Sequence, residues 1–142
     1  MKLKSLLTIA ATLAIGFNVA LAADDDTPLA KEMKAMNKDL RKLKKQAADA
    51  SKKDENLGLI AEIKTHLEAA TKLEPAKTKD VPAGEKAAYL EKYKKEMGEL
   101  TKTYDDLGAA IKDGKADEAK KALDKLSDEK EQGHKDFAPD EK

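Results

Sequence analysis

Apolar residues recur along this chain at alternating steps of four and three, the spacing that lines one face of an α-helix. The longest run is Leu29, Met33, Met36, Leu40, Leu43, Ala47 and Ala50, an unbroken seam with Lys, Asp and Arg between its members. Thr27-Pro28 in front of it is a helix start, a capping hydroxyl followed by a proline whose missing donor costs nothing there. The spacing therefore predicts helix 1 from Pro28 to about Ala50. Ser51 to Glu55 is short and polar, so helix 2 should fold back antiparallel with Asp54 as its cap. Its seam is Ile60, Ile63, Leu67 and Ala70, and it should end near Glu74-Pro75. Pro75 to Pro82 reads as a loop.

Helix 3 is expected to begin at Pro82, with a seam of Tyr89 or Leu90, then Tyr93, Met97, Leu100, Tyr104, Leu107 and Ile111. Asp113-Gly114 closes it, glycine being suited to the left-handed position after a helix. Helix 4 follows from about Lys115 to Phe137, and Pro139 stops it. No segment alternates with period two, so no strands are predicted. Four amphipathic helices with short links make an all-α, antiparallel up-down-up-down four-helix bundle. In that topology the start of helix 1, the end of helix 2, the start of helix 3 and the end of helix 4 share one end.

Helix 4 departs from the pattern. Ala119, Leu123 and Leu126 begin a seam whose continuation is Lys130, Gly133 and His134. His134 follows Leu123 by eleven residues, which returns it to within about 20° of the same face. An imidazole is thus expected where a core side chain would stand. Met33, near the start of helix 1, is expected to face it across the same end.

Ahead of the helices the chain opens with Met-Lys-Leu-Lys, continues without a charge from Ser5 to Ala22, and reaches Ala20-Leu21-Ala22 before Asp24-Asp25-Asp26. A basic start, an apolar stretch and a small-residue site form a cleavable signal peptide over residues 1–22, cut after Ala22. The mature domain is then residues 23–142, exported and free of the membrane after cleavage. Without Lys2 and Lys4 it carries 26 basic and 28 acidic residues, interleaved along its length. That near-neutral mixture argues against a nucleic-acid partner, which wants a concentrated basic face. The chain has no cysteine, so packing must hold the fold without disulfides. No nucleophile with a base, glycine-rich phosphate loop, zinc cluster or repeated Glu-x-x-His motif is present, which leaves an enzymatic reading without residues.

From spacing alone, Met33 is either a gap-filling core residue or a sulfur ligand, and His134 either a terminal histidine favoured by the helix dipole or a nitrogen ligand. His66, one position from the Leu67 seam, is expected to be exposed. Two segments bear on the choice. Met33-Lys-Ala-Met-Asn37-Lys-Asp-Leu40 resembles the opening helix of the soluble cytochrome b562 family, with its Met-x-x-Leu-Asn-x-x-Leu pattern. Gly114-Lys115 through Glu118-Ala119 to His134 resembles that family's last helix without a gap.

The resemblance spans residues 23–137 and implies a monomeric b-type cytochrome. One non-covalent haem b would have Met33 and His134 as axial ligands to its iron and would carry single electrons to an unknown periplasmic redox partner. It further implies that Leu40, Leu67, Ala70, Tyr93, Met97 and Leu126 wall the macrocycle and that Lys130 pairs with a propionate. Tyr93 and Met97 replace family phenylalanines, and Lys130 replaces an arginine. Lys130 and Gly133 stand where the related cytochromes c′ have the cysteines of Cys-x-x-Cys-His, so no covalent attachment is available. The competing reading is a haem-free periplasmic bundle that binds copper(I) through methionine and histidine or serves as a stress or chaperone module.

Overall fold

The computed structural model describes residues 27–138, which form four α-helices: α1, Pro28–Gln46; α2, Lys53–Thr71; α3, Lys86–Lys112; α4, Ala116–Phe137. No strand occurs among the described residues. The proposed leader, its cleavage point and Pro139 lie outside them.

Local chemistry sets most boundaries. Thr27 caps α1 by accepting from the Ala30 amide at 3.1 Å, with Pro28 in the first turn. Helix α1 stops at Gln46 and not at Ala50, which belongs to a short 3-10 turn, Ala50–Lys52, capped by Asp49. Asp54 sits inside the first turn of α2, where its charge suits the positive helix end, and is not the cap. Fully buried Asn56 closes this corner: it donates to the Gln46 carbonyl at 3.1 Å and accepts from the Gln46 side-chain amide at 2.9 Å. Each of those groups would otherwise be an unpaired polar group in the interior.

The connection after α2 contains a second 3-10 turn, Ala76–Asp80, which packs on α3 and α4. Pro82 lies in the turn that follows, and α3 begins only at Lys86, four residues later than expected. At the other end of α3, Gly114 has φ +70°, the Gly114 amide bonds the Ile111 carbonyl and the Lys115 amide bonds the Ala110 carbonyl. This is the six-to-one and five-to-two closure that a left-handed glycine permits.

Side-chain pairs show that successive helices run antiparallel. Lys42–Glu55 and Gln46–Asn56 join the end of α1 to the start of α2, while His66 and Glu32 join their other ends. Lys53 reaches the Lys112 carbonyl and the Tyr93 hydroxyl reaches the Ala70 carbonyl, spanning α2 and α3 from end to end. Thr103–Glu129 and Tyr89–Asp136 do the same for α3 and α4. Helix α1 packs on α2, α2 on α3 and α3 on α4, whereas α1 and α4 touch only sparsely. The core between them follows most of the seams expected for α1, α2 and α3, with Leu43, Ile63, Leu67, Leu107 and Leu126 essentially sealed from solvent.

Two glycines should respond oppositely to alanine. Gly114→Ala puts a Cβ into a left-handed backbone and should destabilise by about 1 kcal/mol. Gly58→Ala, within α2 and with open space around the new methyl, should stabilise by roughly 0.5–1 kcal/mol by removing backbone freedom from the unfolded chain. Urea unfolding of the two variants beside the parent checks both signs.

Candidate functional site

Helix α4 shows three distinct flanks. Ala119, Ala122, Leu126 and Phe137 are buried and form its core face. Glu129 bonds Thr103 at 2.9 Å and Asp136 pairs with Lys92 at 2.8 Å, so that strip faces α3. Ser127 accepts from Lys44 of α1 at 2.7 Å, so its strip faces α1. Ala122 takes the inner place assigned to Leu123, which is only half-buried. Both residues satisfy steps of three and four from Ala119, and the flank settles which one turns inward.

That rotation moves His134. It does not occupy a core position: it is exposed, as is Lys130, while Gly133 is half-buried. His134 follows Ser127 by seven residues and therefore shares the α1-facing strip to within about 20°. Met33 precedes Lys44 by eleven residues, which puts it within about 20° of the Lys44 strip on α1. The side chains of Lys44 and Ser127 meet, so Met33 and His134 lie on two strips that face each other. Counting along antiparallel helices from that contact leaves them about one turn, roughly 6 Å, apart along the axis. They sit beside the most sparsely packed side of the bundle. Met33 is half-buried and packs against the core, and the His134 ring makes no hydrogen bond or ion pair among the described residues.

The proposed wall residues Leu40, Leu67, Ala70, Tyr93, Met97 and Leu126 are all buried. Lys130 lies one turn from His134, between its strip and the core face; it is exposed and has no acidic partner among the described residues. His66 is not free as expected: it is half-buried, and its Nδ1 lies 2.6 Å from a Glu32 carboxylate oxygen. It is thereby tied to the wall of α1 and turned away from the α4 side.

The feature that sequence pattern did not single out is Phe137. Its ring is buried, with centroids 5.3 Å from Tyr89 and 5.2 Å from Tyr93 in edge-to-face geometry, and Lys92 stands over it at 5.7 Å. The signal was available, since Phe137 follows Leu126 by eleven residues and so shares its face. Around the ring, the Gln132 amide and Lys92 hold the Asp136 carboxyl below its usual range, and burial pushes Glu96 up. Burial also pushes the Tyr93 phenol up to about 12, and that hydroxyl donates to the Ala70 carbonyl at 2.8 Å.

This part of the molecule thus combines a half-buried thioether, an imidazole on the facing strip with no side-chain partner among the described residues, nearby buried apolar residues and the exposed ammonium of Lys130. The donor set is soft sulfur plus neutral nitrogen, which suits the iron of a haem and offers no hard oxygen cage. A sequence model of the cytochrome b562 family matches residues 28–138. Neither the curated proteins nor the solved structures yielded a match.

The Tyr93 hydroxyl generates a pH prediction. Its folded pKa lies above the ordinary value near 10, so its contribution to stability is complete below pH 10 and is lost as pH rises towards 12. Tyr93→Phe should cost about 1 kcal/mol at neutral pH and should make the alkaline decline in chemical-denaturation stability shallower than in the parent.

Proposed function

Because this chain belongs to the cytochrome b562 family across its whole helical region, we propose that it is an exported b-type cytochrome. Met33 and His134 hold one non-covalent haem, and the protein carries single electrons. The observation that supports this most directly is the placement of a thioether and a free imidazole on facing strips of the first and last helices. They lie about one turn apart, on the side where those helices pack least. When bound, the haem supplies a one-electron couple at iron, and methionine–histidine ligation raises its reduction potential.

The chain's own residues account for the rest. Met33, through its thioether sulfur, and His134, through an imidazole nitrogen, would be the two side chains that hold the iron. Because His134 has no internal partner, using its ring nitrogen as a ligand breaks no existing bond. Leu40, Leu67, Ala70 and Leu126 are buried and would exclude water from the inner side. Tyr93 and Met97 line the α3 side, where Met97 adapts its shape by rotating about single bonds. Lys130 offers a positive charge at the solvent edge to a propionate, as a point charge without the planar fork of arginine.

The leader at residues 1–22 supports a periplasmic site of action, and no helix among the described residues is long and apolar enough to cross a membrane. We further read the mature protein as a monomer that meets a separate redox partner. The copper alternative gains little from the geometry, because Met36 and Met97 are 5% and 4% exposed in the core and His66 is engaged by Glu32.

Visible absorption of the purified mature protein with added haem is the decisive measurement. An intense Soret band with sharp α and β bands on reduction is expected. Met33→Ala and His134→Ala should each abolish the six-coordinate spectrum and lower haem affinity by more than the roughly 10–100-fold typical of outer-shell partners. A protein that stays colourless with haem yet takes up copper(I), or a spectrum indifferent to both substitutions, would overturn the assignment.

A further inference from the structure

Along α2, α3 and α4 many lysines sit beside a carboxylate. Lys95–Glu99, Lys120–Asp124 and Lys135–Glu131 are typical: a lysine with a carboxylate one turn away. Helix α1 breaks the pattern, with seven cationic residues against two acidic ones. Glu32 is taken by His66 and Lys42 by Glu55, both on the α2 side, while Lys44 bonds Ser127. The other five cations, Lys31, Lys34, Lys38, Arg41 and Lys45, are all exposed, and none makes an ion pair or side-chain hydrogen bond among the described residues.

Their steps of three, four, three and four put all five on one strip about 80° wide and about 21 Å long. On the helical wheel this strip lies on the solvent side of α1, next to the strip of Met33 and Lys44, so it borders the α1–α4 side. Nothing in the fold asks for it. Like charges at these spacings repel, and the first turn of α1 holds no acidic residue to offset Lys31. Cations early in a helix also oppose its dipole. Any neutral polar residues would serve solubility at those positions.

We propose that this stripe is the docking face for an acidic protein partner. No aromatic or large aliphatic side chain is interleaved with the five cations, so the strip offers a bilayer no anchor and offers nucleic-acid bases nothing to stack on. The neighbouring solvent side of α4 exposes Asp128, whose carboxylate has no cationic partner among the described residues. A broad uniform polyanion meets repulsion there, whereas a narrow acidic patch on a protein does not. Four flexible lysines and one arginine suit a steered, quickly released encounter more than bidentate reading of phosphates. The stripe stands without the cofactor; that its partner exchanges electrons rests on the cytochrome reading.

The test titrates the ¹⁵N-labelled mature protein, without haem, with poly-L-glutamate and follows backbone amide shifts. Shifts confined to residues 31–45 at low salt are expected, disappearing at about 0.5 M salt, where screening acts over a few ångströms. The combined variant K34E/K38E/R41E should bind at least tenfold more weakly while its far-UV circular dichroism and melting curve match those of a fully folded protein. A second variant, K34Q/K38Q/R41Q, should fall between it and the parent. Shifts spread over the other helices, indifference to salt or charge reversal, or tighter binding of the same strip to phosphatidylglycerol vesicles or duplex DNA would each overturn the proposal. Since no haem enters this measurement, its failure is separable from a missing Soret band.

Discussion

The hydrogen bond from the buried Tyr93 hydroxyl to the Ala70 carbonyl is the join on which the geometry of the site end depends. A phenol inside a core must find a partner, and the last turn of a helix has carbonyls to spare. The bond therefore fixes α3 against the end of α2 in one register. The same ring meets Phe137 edge to face, which brings in the end of α4. On the far side of α2, the contact of His66 with Glu32 secures the start of α1. Three different interactions thus gather the four helix ends that carry Met33, Ala70, Tyr93 and His134.

Much of this was legible in the spacing of leucines, isoleucines and methionines. Unbroken seams such as Leu29 to Leu43 and Ile60 to Ala70 leave one rotation for each helix, and the core uses it. Helix α4 was harder to read because it is rich in charge and poor in large apolar groups. Its inner face had two solutions, through Leu123 or through Ala122, and residue size pointed to the wrong one. The choice is made by neighbours: Thr103 claims Glu129 and Lys44 claims Ser127. Once those contacts are formed, His134 belongs to the flank facing α1 and Phe137 belongs inside.

Helix starts were misplaced for a related reason. Pro82 and Asp54 have the chemistry of first-turn residues, but chemistry that permits a start does not compel one. Packing of the 3-10 turn Ala76–Asp80 on α3 and α4 delays α3 to Lys86. Charge was hidden by averaging: balanced totals over the mature chain concealed that α1 carries seven cations against two acids. Composition reports a sum, and recognition responds to where the charges are placed.

The sparse contact between α1 and α4 divides the molecule into two helical hairpins, α1–α2 and α3–α4, joined lengthwise where α2 packs on α3. Each hairpin keeps its own corner, Asn56 in one and Gly114 in the other. Met33 and His134 stand on opposite hairpins, so a group held by both would tie the two leaves of the bundle to each other.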